Sequence, residues 1–195
     1  MLSYNESLKI LRETKALLEG HFILSSGLHS REYIQCAKLL SYPKKAEYIC
    51  ASLCEKIRKK IDKIDVVLAP ALGGIVVGYE IGRQLNIQTI FAEKVNNKLV
   101  LRRGFEIKPN TNVLIVEDVI TTGKSALECS SIVKKNGANT IGYVCIIDRS
   151  NNEISIKDQI VSQMKFNIKT FSKDKLPEDL KKISPSKPGS SILSK

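Results

Sequence analysis

Apolar residues recur along the chain with two different periods, and the switching between them sets the fold class. Ser3-Tyr4-Asn5-Glu6 has capping-box spacing and precedes Leu8, Leu11, Leu17 and Leu18. This predicts an N-terminal helix that runs to Glu19 and is closed by Gly20. "HFILSSGLHSREYIQC" (21–36) reads as short extended pieces around a Ser-Ser-Gly turn. Apolar positions 46, 49, 50, 53, 57 and 61 mark an amphipathic helix over 46–61. "DVVLAP" (65–70) is a buried strand stopped by Pro70, and "ALGGIVVGYEIGRQL" (71–85) is a glycine turn followed by a helix. "QTIFAEKV" (88–95) and "KLVLRRGFEI" (98–107) are strands that Asn96-Asn97 joins into a hairpin. "NVLIVEDV" (112–119) is another buried strand, 124–136 is a helix ended by Gly137, and "TIGYVCIIDR" (140–149) is a further strand. "MKFNIKTFS" (164–172) alternates as an edge strand does.

Strands alternating with helices predict an α/β domain with a mostly parallel central sheet flanked by helices. A chain of 195 residues suits one such domain. Beyond Phe171 the composition turns to Lys, Pro and Ser, so the domain is expected over 1–172. Residues 173–195 are then a Lys/Pro/Ser-rich tail with a short helix near Asp179.

Charge changes this picture little. The formal net charge is +11, but the lysines are scattered and form no long block. They read as solvated faces, and no RNP-like or zinc-finger signature makes nucleic acid an expected partner. The five cysteines are odd in number and contain no CxxC pair, which predicts buried thiols in a reducing compartment. No signal peptide and no apolar run of about 18 residues is present, so a cytoplasmic protein without a membrane partner is expected.

The candidate chemistry lies in "VLIVEDVITTGKSALE" (113–128). Gly123-Lys124-Ser125 ends like a triphosphate loop, but that pattern requires glycine where Asp118 stands. A carboxylate there would repel a triphosphate. The turn Thr121, Thr122, Gly123, Lys124, Ser125 instead offers backbone N–H groups, hydroxyls and a positive helix end, the chemistry of a monophosphate site. The acids before it cannot face the phosphate. They can accept hydrogen bonds from a vicinal diol, so the string suggests ribose 5-phosphate.

"VLIVEDVITTGKS" resembles the phosphoribosyl-pyrophosphate (PRPP) signature of the type I phosphoribosyltransferases. "FILSSGLHSREY" (22–33) and "IIDR" (146–149) resemble segments of the orotate phosphoribosyltransferases, in that family's order. The resemblance spans residues 22–149. It implies the type I phosphoribosyltransferase fold, with a small N-terminal hood (1–40 plus a C-terminal strand) and a β-hairpin loop. It also implies transfer of ribose 5-phosphate from PRPP to orotate, giving orotidine 5′-monophosphate and diphosphate, with Mg²⁺ held through substrate and water. By the same resemblance Glu117 and Asp118 hold the ribose hydroxyls. The following Val119, Ile120, Thr121, Thr122, Gly123, Lys124 and Ser125 complete the PRPP site, and Thr121 also borders orotate. Arg149, a planar fork suited to a planar carboxylate, faces orotate together with Ser25, Tyr33 and Ile34.

The amides of Leu72, Gly73 and Gly74 form a second anion loop for the diphosphate. Some members carry lysine where Gly73 stands, so a cation is missing there. The mobile loop of many members holds a histidine, whereas this chain has "EKVNNKLVLRRGFEI" (93–107). Lys94, Lys98, Arg102 and Arg103 are its cations. The adjacent arginines would face opposite ways on a strand, and Lys94 and Arg103 are the favoured catalytic pair beside Asp118. His21 and His29 read as structural. That loop implies a homodimer. A purine phosphoribosyltransferase, and a non-catalytic regulator binding PRPP or nucleotide and RNA, are the alternatives.

Overall fold

The structure, a computed structural model, describes residues 1–24, 26–150 and 156–188. Helix α1 (Tyr4–Glu13) begins at the expected capping box: the Ser3 hydroxyl accepts from Glu6 N–H, and the Glu6 carboxylate accepts from Ser3 N–H. It stops at Glu13, not Glu19. Leu17 and Leu18 belong instead to β1 (Leu17–Ile23), which pairs antiparallel with β2 (His29–Ile34). Two adjacent leucines fit either period, and the partner strand decides the matter. Helix α2 (Cys36–Leu40) follows, then α3 (Pro43–Arg58), where Pro43 opens the helix. Ile49, Leu53 and Ile57 of α3 are fully buried, and each contributes about 1.5–3 kcal/mol.

The chain continues through β3 (Val66–Pro70), α4 (Gly73–Leu85), β4 (Gln88–Val95) and β5 (Lys98–Leu101), then β6 (Asn112–Ile120), α5 (Lys124–Lys135) and β7 (Asn139–Asp148). Strands β8 (Ile160–Lys165) and β9 (Thr170–Phe171) and helix α6 (Glu178–Lys181) complete it. The predicted strand over 164–172 is therefore divided. β8 starts earlier and pairs parallel with β7, whereas β9 pairs with β2 in the hood. The predicted strand over 98–107 ends at Leu101, because Arg103 and Gly104 take positive φ (59° and 73°) in a turn.

The main sheet has the order β5-β4-β3-β6-β7-β8, parallel except for β5. The chain builds outward from β3 to β4 and β5, then returns to the other side of β3 for β6, β7 and β8. The order thus reverses between β3 and β6, and open parallel sheets bind ligands beyond the strand ends at such a reversal. One face packs on α3 and α4 through Val67, Leu114 and Val116. The other packs on α5 through Ile90, Ile115, Ala126 and Cys129. A second sheet, β1-β2-β9, forms the hood. Residues 173–188 run on past β9 against this hood, with Leu180 only 1% exposed.

Candidate active site

The reversal point carries the two acids. Side chains alternate along β6, so Glu117 shares the α5 face with Val113 and Ile115, while Asp118 shares the α4 face with Leu114 and Val116. Glu117 is buried. Burial and then the neighbouring Asp118 raise its carboxyl from 4.5 to about 7, and the Ser125 hydroxyl and the Lys94 ammonium pull it partly back. Burial also raises Asp118, opposed by a hydrogen bond from Val119 N–H to Oδ1 (2.9 Å).

Beyond β6 the chain turns through Thr121 and Thr122, both exposed, into Gly123 at φ 74°, and α5 starts at Lys124. Only a residue tolerant of the left-handed region can make this entry. No side chain caps the helix, and its first hydrogen bond runs from Leu127 N–H to Gly123 C=O. Apart from Lys124 N–H, the amides of 121–125 are left open at the positive helix end, as a phosphate site requires. Thr122 Oγ1 accepts from Lys124 N–H at 3.4 Å and holds the turn.

Residues 71–74 cross the end of β3, tied by Ala71 N–H to the Ala92 carbonyl (2.8 Å). Gly73 lies against Asp118: a Cβ there would come within 2.5 Å of Asp118 Oδ2. A side chain at 73 would require the Asp118 carboxylate to shift. Gly74 is confined too, with Pro70 Cδ and the Val116 carbonyl 3.1 Å from a hypothetical Cβ. Leu72, by contrast, is 83% exposed.

The two favoured loop cations lie on different faces of the hairpin. β4 and β5 are joined at Asn96-Asn97, both with positive φ. Lys94 follows the parity of Ile90 and Ala92 and so faces the α5 side, where Glu117 feels its charge. Arg103 donates from Nε to Glu93 Oε1 (2.5 Å) and from Nη2 to Oε2 (3.2 Å), 5.7 Å over the Phe91 ring. Arg102 reaches the same carboxylate at 3.9 Å. The two arginines therefore do not face opposite ways: the turn breaks the strand alternation, and both converge on Glu93. Lys98 is exposed.

The hood supplies the other wall. Arg149 follows β7, its N–H bonded to the Ile120 carbonyl (2.8 Å). Its Nε is buried without a partner among the described residues, and burial lowers its pKa. Tyr33 stands close enough to Arg149 and Asp118 that both act on its hydroxyl, whose pKa burial raises. Ile34 is buried beneath it. Ser25 lies outside the described residues, and Ser26 accepts weakly from Leu28 N–H (3.4 Å). His21 and His29 form a buried pair inside the hood, 2.6 Å between Nε2 and Nδ1. Sequence reasoning missed three neighbours. Phe22 stacks on Tyr33 (5.8 Å), Cys36 Sγ lies 3.9 Å from the Asp118 carbonyl, and Glu93 gathers the arginines. Cys36 looked like any small buried residue, and only the fold puts it under the site.

The raised Glu117 sets a pH expectation. Its folded pKa lies above the unfolded one, so its ionisation opposes folding as pH rises from about 4.5 to about 7. A carboxylate that takes a diol must be ionised, so PRPP affinity is expected to rise as the pH passes through about 7, from about pH 6 to 8. The sugar phosphate itself titrates near ~6, so the measurement is the difference between wild type and Glu117→Gln. Parallel pH profiles for the two would remove Glu117 from the diol site.

Residues 42–175 match the phosphoribosyl transferase domain family. The chain is 45% identical over 184 residues to an orotate phosphoribosyltransferase of Chlorobium phaeobacteroides, covering 94% of each chain. It is 44% identical over 183 residues to an orotate phosphoribosyltransferase of Caldicellulosiruptor saccharolyticus, covering 94% of this chain and 95% of the other. The crystal structure of orotate phosphoribosyltransferase from Aeropyrum pernix superposes with a TM-score of 0.71 at 23% identity, over 80% of this chain and 92% of that one.

Proposed function

The chain belongs to the phosphoribosyl transferase family, with orotate phosphoribosyltransferases among its relatives, and on that premise we propose that it transfers ribose 5-phosphate from PRPP to orotate. The observation that carries this reading is the meeting of two half-sites at one point of the fold. An open phosphate turn and two carboxylates lie at the end of β6, and at the end of β7 lies a guanidinium whose buried Nε has no partner among the described residues.

The 5-phosphate sits on the amides of 121–125, where charge-assisted bonds contribute about 1.5–3 kcal/mol each. Glu117 and Asp118 take the ribose hydroxyls from the two faces of β6. The amides of 72–74 receive the diphosphate, and Arg103, on the α4 face that also holds the 71–74 turn, neutralises it. Lys94 works from the opposite face, beside Glu117. Arg149 and the hood residues Tyr33 and Ile34 hold orotate in plane, with Ser25 and Thr121 at its edges. Bond breaking at the ribose C1 leaves cationic character on the sugar, which the buried carboxylates stabilise. No protein nucleophile is required.

Hard oxygen donors suit Mg²⁺, and Asp118 and Glu117 would hold it through water and substrate oxygens. When bound, it neutralises charge on the departing diphosphate. The partner protein is a second copy of this chain, which covers the exposed stripe Leu72, Val76 and Tyr79 at the start of α4. The working compartment is the cytoplasm, a reading supported by five buried free thiols.

The test is turnover with orotate, hypoxanthine and adenine, each with PRPP and Mg²⁺, on protein whose mass is read by sedimentation. Orotate should be preferred by more than about a hundredfold, the range a polar-group match supplies, at the mass of two chains. A purine preference overturns the substrate, and a single-chain mass for the active enzyme overturns the dimer.

A further inference from the structure

Beyond the hood strand β9 the described residues stay on the molecule. Residues 176–188 cross the hood as a strap, fixed at three places. Arg31 of β2 makes a two-pronged pair with Asp179, Nε to Oδ2 at 2.7 Å and Nη2 to Oδ1 at 2.6 Å, while its guanidinium lies 5.0 Å over the Phe171 ring. His21 Nδ1 meets the Ile183 carbonyl at 2.8 Å, and its Nε2 meets His29 Nδ1 at 2.6 Å. The backbone of Ser186 closes the set: Ile23 N–H donates to its carbonyl (2.8 Å), and its N–H donates to the His21 carbonyl (2.9 Å).

These contacts fix protons as well as positions. A carbonyl only accepts, so His21 carries its proton on Nδ1. Its Nε2 must then accept, and His29 Nδ1–H donates. The relay ties β2, β1 and the strap into one unit with one allowed proton pattern in the neutral pair. The residue between the two backbone bonds of Ser186 is Phe22, which stacks on Tyr33. Tyr33 in turn stands beside Arg149. An unbroken line of contacts therefore runs from Asp179, Ile183 and Ser186 to the wall of the base site, and it meets the sugar side only where Tyr33 also stands near Asp118.

We propose that residues 176–188 are a positioning element for the base site, holding β1 and β2 so that Tyr33 stays against Arg149. The proposal rests on the reading that Tyr33 and Arg149 face orotate. Leu180 anchors the strap in the core, and the Arg31–Asp179 pair and the Ser186 backbone pair set its register. The consequence is selective. Loosening the strap weakens orotate use and leaves PRPP use alone, which a merely structural role would not do.

The experiment compares steady-state KM for orotate and for PRPP in wild type, three full-length variants and one shortened chain. Asp179→Ala removes the pair at an exposed position, Asp179→Glu is its conservative control, and ending the chain at Pro185 removes the Ser186 backbone pair while keeping Leu180. Arg149→Ala is the reference, and wild type the baseline. Asp179→Ala should raise the orotate KM by about threefold to fivefold, the upper end of what an exposed ion pair contributes, and the shortened chain by a comparable factor. PRPP KM should stay within about twofold, and Asp179→Glu should recover most of the loss. An orotate KM unchanged in both altered chains, or a parallel rise in both substrates' KM, overturns the proposal. If Arg149→Ala itself leaves the orotate KM unchanged, it is the base-site reading that fails, whatever the strap variants show.

Discussion

Replacing Arg149 by alanine should raise the KM for orotate by roughly a hundredfold while the KM for PRPP changes by less than about threefold. The guanidinium is held in place at some cost. It is buried enough for its pKa to fall, and its Nε finds no partner among the described residues. A group left unpaired in the free protein has its hydrogen bonds available to a ligand. Two charge-assisted bonds to a planar carboxylate contribute about 3–4 kcal/mol together, or two to three decades in affinity. Arg149→Lys should restore only part of the loss, because a point charge cannot present two parallel donors. The readout is KM for each substrate with the other saturating. Equal losses for orotate and PRPP would falsify the assignment of Arg149 to the base.

The strand end, turn and helix start of the proposed phosphate site were legible in the sequence because their geometry is local. One strand end, one turn and one helix start lie within 117–125, and spacing alone fixes their relation. The alternating α/β pattern was legible for the same reason, since each period is written within one element. What failed was written elsewhere in the chain. Leu17 and Leu18 fit a helix until β2 offers them a partner strand. Arg102 and Arg103 were expected on opposite faces because nothing local announces the turn that breaks the strand before them. The group that a side chain at 73 would have to displace, the Asp118 carboxylate, lies 45 positions away. The path of residues 173–188 depends on Arg31, His21 and Ile23, all near the other end of the chain.

That same juxtaposition of Asp118 with Gly73 leads to the second large expected effect. Asp118→Asn should lower kcat/KM for PRPP by two to three decades and leave the melting temperature unchanged or slightly higher. The two halves follow from one fact. Burial raises the Asp118 pKa, so the ionised carboxylate is disfavoured in the folded protein relative to the unfolded chain. The sign is that of a raised acid: its ionisation opposes folding at pH values above its unfolded pKa, and a neutral amide of the same shape removes that opposition. Asparagine also keeps an Oδ1 acceptor for Val119 N–H. The charge, however, is what the proposed reaction uses. A carboxylate some 4 Å from a developing cation contributes about 4 kcal/mol at an effective dielectric near 20, enough for the predicted decades. A surface acid or a plain helix-end acid gives neither half of this result. Wild-type turnover in Asp118→Asn would remove the carboxylate from the chemistry. A large fall in melting temperature would show instead that Asp118 holds the 71–74 turn together as an ion, and lost activity would then have a structural cause.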